Sequence, residues 1–337
     1  MPGLFEPITI MGLTLKNRLV MPAMGTKMGI ETGEITDRHI RHYTARARGG
    51  VGLIIIEHCP VSEGARLTNQ QIGLYNDRLI PGLRRLAEAI HAEGAKAVIQ
   101  LTHAGAKAFS SIIGEQPVGP WTVTPPFASE VPRPLTVAEI KKLVVRFGEA
   151  AYRAMEAGFD AVELHGAHGY LLNQFLSPYT NQRKDAYGGN LTGRLTFPLE
   201  VIKEVKTRLG DNTPLFYRFG ADDMVEGGMT IQEGKLAAQH LERAGVDVFD
   251  VSGGLGGDGQ KPIGQRSFTE QGYFVPLAEG IKKTVKVPVI GVGKITEPEY
   301  ADSIVREQKV DLVAVGRLLL SNPEFPKQAA EKLGIKL

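Results

Sequence analysis

The amino-acid sequence predicts an α/β protein folded as a single (β/α)8 TIM barrel, one domain over 1–337. Three observations lead there. Short, β-rich apolar runs recur eight times, and a loop and an amphipathic helical stretch follow each of them. Most runs are apolar throughout rather than alternating in polarity, as parallel strands covered on both faces by helices must be. The chain length of 337 residues suits eight such units.

In order, Pro2–Lys16 reads as an N-terminal cap ahead of a first strand, Leu19–Met24, and a helix over Asp37–Arg48. The second unit pairs Gly52–Ile56 with Arg78–Glu93. In the third, strand Ala95–Leu101 is separated from helix Thr136–Ala157 by a Pro- and Gly-containing excursion, Gly114–Leu135. Four further units pair Phe159–Leu164 with Arg194–Leu209, Leu215–Gly220 with Thr230–Ala244, Val246–Val251 with Val275–Val285, and Val287–Gly291 with Glu297–Glu307. The eighth strand, Asp311–Val315, precedes a last helix near Glu324–Leu333. An open, doubly wound sheet competes with the barrel, but it needs a phosphate-binding glycine turn early in the chain. The first strand instead runs into PAMGTKMG. A GxGxxG does occur at Gly254, Gly256 and Gly259, yet QKPIGQ follows it where a helix would have to begin. It reads as a mobile loop over the site.

Lysine plus arginine number 39 against 37 acidic residues, so the balance gives no signal for nucleic acid or another polyanion. No apolar stretch approaches the roughly twenty residues of a membrane helix, and MPGLFEPITIMGL lacks the basic start and long apolar core of a secretion signal. A soluble, cytoplasmic protein acting on small molecules is expected, with homo-oligomerisation left open. The single cysteine, Cys59, rules out an internal disulfide and cannot hold an iron–sulfur cluster.

A barrel collects its chemistry at the C-terminal ends of its strands. The fourth strand ends in His165, His168 and Tyr170. Such groups can grip a carbonyl oxygen with N–H donors and pass a proton to a nearby carbon. They could also be satisfied core residues, or HxxH could supply two metal ligands, although no HExxH helix or paired CxxC accompanies it. The third strand carries Gln100 with His103 just beyond, and the fifth carries Arg218. An amide and a guanidinium facing inward could hold the polar edge of a flat heterocycle; a buried amide and a structural ion pair are the plainer alternatives. Gly293 and Lys294 after the seventh strand, with Gly316 and Arg317 after the eighth, offer backbone N–H groups and fixed positive charge to a phosphate. Ordinary turn glycines would look the same.

These residues sit within LFEPITIMGLTLKNRLVMPAM, LTHAGAKA, AGFDAVELHGAHGYLLNQFLSPYTNQRKDAYGG, the Arg218 strand and VGR–LLLSNPEF. Through them nearly the whole chain resembles the old yellow enzyme family of FMN-dependent oxidoreductases, in the branch that includes 2,4-dienoyl-CoA reductase and 2-enoate reductase. The resemblance implies FMN at the barrel mouth and NADH or NADPH as electron donor. Pro22, Ala23 and Met24, followed by Gly25, would line the isoalloxazine, and His58 would meet it through its backbone. Gln100 and Arg218 would face the pyrimidine edge, while Gly293, Lys294, Gly316 and Arg317 would hold the phosphate. His165 and His168 would bind the carbonyl oxygen of an unsaturated substrate, and Tyr170 would protonate its α-carbon. The implied activity is reduction of an activated C=C bond. Oxidative dehydrogenation, nitro reduction and a redox-neutral double-bond shift are alternatives on the same frame.

The sequence also departs from the family pattern. Gly25 stands where relatives often carry a side chain that tunes flavin potential, Lys27 where one subgroup has a tyrosine, and Ala106 where HAGR has arginine. The usual SxENR after YGG reads Asn190-Leu-Thr-Gly-Arg194. The chain ends at Leu337, where longer members continue into a cluster motif and nucleotide-binding domains, so a barrel without those domains is expected.

Overall fold

The computed structural model describes residues 1–126, 128–256 and 268–336. Eight parallel strands close into a barrel: β1 (Leu19–Met21), β2 (Leu53–Pro60), β3 (Lys96–Thr102), β4 (Ala161–Gly166), β5 (Leu215–Gly220), β6 (Val248–Ser252), β7 (Val289–Gly291) and β8 (Leu312–Ala314). Each strand pairs with its sequence neighbours, and β8 closes on β1 through Val313–Leu19 and Ala314–Val20. The long helices are α1 (Asp37–Arg48), α2 (Ile80–Ala92), α3 (Val137–Glu156), α4 (Leu191–Leu209), α5 (Ile231–Arg243), α6 (Val275–Lys282), α7 (Pro298–Arg306) and α8 (Phe325–Lys332). The expected barrel is therefore the observed one.

Alternation along the strands divides the core in two. Val20, Ile55, Val98, Ala161, Phe216 and Val248 belong to the inner cluster, while the residues between them pack outward against the helices. Ile10 and Leu15, from an antiparallel hairpin of Ile8–Ile10 and Leu13–Leu15, join that inner cluster. The expected N-terminal cap is thus a plug for the barrel interior.

Several boundaries move for identifiable reasons. β1 stops at Met21 rather than Met24, because Pro22 has no N–H to give the ladder. β2 runs on to Pro60 through a register shift between Ile56 and Cys59, which carries His58 to the mouth within a strand. β4 begins two residues later than expected and includes His165. Among the described residues, three short α-helices were not anticipated, Ser110–Ile113, Leu171–Leu176 and Arg317–Ser321. The loop expected over the site, Gly254 to Gly259 and the QKPIGQ after it, is described only as far as Gly256; the remainder lies outside the described residues.

Much of the long block after β4 is scaffold. The Asn181 amide donates to the carbonyls of Phe175 and Tyr187 at 2.6 and 2.7 Å. Arg183 pairs with Asp185 and donates to the carbonyl of Leu135 at 2.6 Å, which fastens the Gly114–Leu135 excursion to the barrel. Arg194 is buried and reaches the carbonyls of Leu176 and Gly189 at 2.8 and 2.9 Å and Glu233 at 2.7 Å. The Asn190 side chain caps α4 by accepting from Gly193 N at 3.1 Å. The departure to NLTGR therefore keeps the cap and the arginine clamp, and the glycine has its own reason: a Cβ at Gly193 would lie 2.0 Å from the Gly188 carbonyl oxygen.

Gly193→Ala should accordingly destabilise the protein by about 1–3 kcal/mol through overpacking against backbone. Urea unfolding of the variant beside the parent measures it, and an unchanged midpoint would mean that the Gly188–Gly193 approach is not rigid.

Candidate active site

The β4 end holds the centre of the mouth. His165 lies within the strand and is 4% exposed, and its Nδ1 has no partner. His168 takes a left-handed conformation with φ 58°, followed by Gly169 at φ 70°, so the chain turns back sharply at the strand end. Four bonds hold this turn. Gly169 N donates to Asn173 Oδ1 at 2.8 Å, Gln174 Nε2 to the Gly169 carbonyl at 2.6 Å, Lys107 Nζ to the His168 carbonyl at 3.0 Å, and Leu171 N to the His103 carbonyl at 3.0 Å. A Cβ at Gly169 would lie 2.2 Å from the Leu255 carbonyl oxygen, which leaves glycine no substitute there.

The turn delivers Tyr170 as the residue preceding the Leu171–Leu176 helix, with its ring centroid 4.4 Å from that of His165. The two histidine rings are 5.4 Å apart and nearly perpendicular. His168 Nε2 and Ser252 Oγ are 2.8 Å apart. Burial drives the pKa values of both histidines well below the ordinary range, with neighbouring cationic groups acting in the same direction, so both imidazoles are neutral. A neutral imidazole carries one N–H, which makes each ring a single donor. Burial pushes the Tyr170 phenol up to about 12, keeping its proton in place at neutral pH. Lys107 lies 5.2 Å from the Tyr170 ring centroid, its pKa lowered to about 8 by burial.

Arg218 on β5 pairs with Asp250 on β6, and Gln100 Nε2 on β3 donates to Glu163 Oε1 on β4 at 2.7 Å. Above this layer opens a cavity of about 240 Å³. Arg218 and His168 line one part of it, Pro22, Ala23 and Met24 another, and Lys294, Gly316 and Arg317 a third. The structure thus brings together most of the positions expected to hold a cofactor. Gly293 takes φ 128° after β7, and a Cβ there would meet Phe274 N at 2.9 Å; one at Gly316 would meet Met24 Sδ at 3.0 Å. Both glycines are therefore sites of close approach as well as turn residues.

Other expected positions lie differently. The Gln100 amide points its nitrogen at Glu163. His58 has an ordered side chain: Gln71 Nε2 donates to its carbonyl at 2.9 Å and lies 2.6 Å from its Nδ1, and its ring is 5.8 Å from that of Tyr170. Gly25 is exposed, and a Cβ there would sit 3.2 Å from His58 Nε2. Lys27 is exposed at φ 55°. His103 turns away from the Arg218 cavity and lines a second one of about 300 Å³ beside the Gly114–Leu135 excursion.

Sequence reasoning missed Ser252, Lys107, Asp250, Glu163 and Tyr273. Glu163 and Asp250 carried a readable signal, since each interrupts an apolar strand with an acid. Tyr273, whose hydroxyl accepts from Arg317 Nη2 at 3.3 Å, carried none. Among the described residues no group of three or more His, Cys, Asp or Glu could hold a metal, and no helix is long and apolar enough to cross a membrane.

The profile of the NADH:flavin oxidoreductase / NADH oxidase family matches residues 3–335. An NADH oxidase of Thermoanaerobacter brockii is 47% identical over 333 residues, which cover 98% of this chain and 51% of that protein. An NADPH dehydrogenase of Listeria monocytogenes serotype 4a (strain HCC23) is 41% identical over 335 residues, 99% of this chain and 96% of that protein. The chain therefore spans about half of the first relative and nearly all of the second. Among solved structures, a 2-naphthoyl-CoA reductase in complex with 2-naphthoyl-CoA superposes with a TM-score of 0.92 at 29% identity, over 98% of this chain and 52% of that one.

Burial of neutral histidines has a consequence for stability. His103 is lowered to about 4 and His165 well below the ordinary value, so neither takes a proton in the folded protein at pH 5. The unfolded chain protonates both below about 6.5, and stability must fall with pH from there by about 1.4 kcal/mol per unit for each. Urea unfolding at pH 7, 6 and 5 should show that decline, reduced in His103→Gln. The same pH dependence in His103→Gln as in the parent would mean that the His103 ring is not held neutral; the parent profile alone also carries buried carboxyls such as Asp223, raised to about 6, which gain stability as the pH falls.

Proposed function

The chain belongs to the NADH:flavin oxidoreductase / NADH oxidase family, whose members use FMN with NADH or NADPH, and from that premise we propose that it is an ene-reductase acting on α,β-unsaturated carbonyl compounds. The observation that carries the proposal is the convergence of His165, His168 and Tyr170 beside a cavity that also exposes Arg218. These are groups that donate protons or hydrogen bonds at neutral pH and do not accept a proton readily. Such a set suits a substrate that gains electrons.

The residues fit FMN. The cavity has an apolar wall at Pro22 to Met24, a guanidinium whose Nε lacks a partner, and glycines at both strand ends where a Cβ would crowd neighbouring atoms. In the proposal Pro22, Ala23 and Met24, with Gly25 at their end, flank the ring system. Arg218 meets the pyrimidine edge, with Gln100 beside it in the layer below. Gly293, Lys294, Gly316 and Arg317 hold the phosphate, and His58 flanks the ring edge with its side chain as well as its backbone. Bound FMN supplies the hydride chemistry, taking electrons from NAD(P)H and passing them to the second substrate.

The chain's own part is positioning and proton handling. His165 and His168 each direct one N–H at the carbonyl oxygen and stabilise the negative charge that grows there. Their neutrality matters, because a ring that were already a cation would bind anions generally rather than reward charge that develops during reaction. Ser252 sets the orientation of His168, and Lys107 with Asn173 and Gln174 fixes the turn that carries it. Tyr170 gives its proton to the α-carbon. Lys107, close to that ring, favours the phenolate left behind.

Three expected outcomes test this reading. Heat-released cofactor should be FMN by mass spectrometry, since the site offers a terminal phosphate pocket and a dominant FAD peak would contradict it. Anaerobically reduced protein should be reoxidised by enones; bleaching by NADH or NADPH without reoxidation by any enone would assign it another reaction on the same frame. Tyr170→Phe should slow that reoxidation about a hundredfold or more while leaving reduction by the nicotinamide nearly untouched. Parent-like turnover in the variant would remove Tyr170 from the proton path and leave the histidines in place.

Arg218→Met should weaken FMN binding by about 1.5–3 kcal/mol, the usual worth of a hydrogen bond to a charged group. Titration of stripped protein with FMN measures it, and an unchanged affinity would place Arg218 outside the site.

A further inference from the structure

The layer beneath the cavity contains an unbalanced set of charges. Glu163 on β4 and Asp250 on β6 are both fully buried, and between them β5 contributes one guanidinium, Arg218, 7% exposed. Asp250 Oδ2 accepts directly from Arg218 Nη1. Glu163 has no cation in contact: its Oε1 accepts from the neutral Gln100 amide at 2.7 Å, and its Oε2 is buried with no partner. Asp250 Oδ1 is the other carboxyl oxygen of this layer that is buried without one.

Among the described residues, no other cation is in contact with either acid. β1, β2, β7 and β8 contribute Val20, Ile55, Ile290 and Ala314 to the barrel interior. Glu57 on β2 is turned to Thr26 and Tyr43. His165, two residues along β4 toward the mouth, is neutral, as is His168 beyond it. With both acids ionised the layer would hold a net negative charge in an apolar barrel, a state that costs several kcal/mol and that a single proton removes. Only Asp250 is in direct contact with Arg218, which opposes the raising effect of burial on its pKa, so the geometry favours the other acid as the holder of the proton.

We propose that Glu163 is a neutral carboxylic acid in the resting protein and acts as a positioning residue, its proton keeping the Arg218–Asp250 pair electrically balanced beneath the ligand that Arg218 faces. Burial first, and then the Asp250 charge, raise the Glu163 carboxyl to about 8, against smaller opposing effects of the Arg218 charge and the Gln100 hydrogen bond. Loss of that proton would place an extra negative charge below the cavity and oppose any ligand that becomes electron-rich over Arg218. The effect on such a ligand rests on the FMN reading; the protonation of Glu163 does not.

Infrared spectroscopy of the purified protein separates the two. A protonated-carboxyl C=O band should be present at neutral pH, disappear as pH rises through the Glu163 ionisation, and be absent from Glu163→Gln. In Asp250→Asn the competing anion is gone, so Glu163 should ionise against Arg218 and the band should vanish at neutral pH; this variant serves if the first does not fold. The midpoint potential of the bound flavin should steepen with pH above the same ionisation, because reduction then draws one more proton, and Glu163→Gln should lack that break. A parent without the band, or a band that persists in Glu163→Gln, overturns the proposal. A band that behaves as described in a protein that binds no flavin supports the proton on Glu163 and overturns the FMN reading instead. A flavin potential with the same break in Glu163→Gln as in the parent overturns the link between this proton and the ligand.

Discussion

A guanidinium held inside the mouth of an apolar barrel has to be neutralised there, and the arrangement of this site follows from that requirement. Arg218 sits on an inward-facing position of β5, above the inner core residue Phe216. Water cannot solvate it fully, so Asp250 on the adjacent strand pairs with it. The pair leaves the Arg218 Nε without a partner and one side of the guanidinium lining the cavity. The barrel thus supplies a fixed positive charge to one place in the mouth, and every neighbouring group is shaped by it. The same cation helps keep His165 and His168 neutral, which leaves each ring one N–H to donate.

A second constraint is the turn after β4. His168 in the left-handed region is costly for a residue with a Cβ, and it persists because the surroundings over-determine it. Asn173 and Gln174, one turn later, bind the backbone of Gly169, and Lys107 reaches across from the segment after β3. Asn173 is itself held through Asp223, whose carboxylate oxygens accept from Asn173 Nδ2 at 3.3 Å and Met229 N at 2.7 Å. Strain at the histidine is therefore carried by a network reaching from β3 to the segment after β5. This explains why the block LLNQFLSPYTNQRKDAYGG is specific without being chemical throughout: Asn173, Gln174, Asn181 and Arg183 each bind backbone, and Arg194 just beyond it does the same.

Local signals made the framework legible. Asp37–Arg48 coincides with its expected span because Thr36 precedes it as an N-cap and a glycine pair follows it. The four polar groups at strand ends, Gln100, His165, His168 and Arg218, could be singled out because a polar side chain at the end of an apolar run is conspicuous. Their partners could not. Ser252 is 84 residues from His168 and Lys107 is 61, so only closure of the barrel shows that they meet. The six-residue helix behind Tyr170 is buried on every side and has no amphipathic period to read. Gln100 reads correctly as inward-facing but not in its bonding, since its preference for Glu163 depends on an acid being present on the next strand.

The central claim is that the cavity over Arg218 is a flavin site with the His165, His168 and Tyr170 group at its side. A crystal structure of the protein loaded with FMN and a phenolic inhibitor tests it most directly. The account predicts the pyrimidine edge at Arg218, the phosphate among Gly293, Lys294, Gly316 and Arg317, and the phenol oxygen within hydrogen-bond distance of both histidines. Flavin density elsewhere, or an inhibitor bound away from His165 and His168, would contradict it.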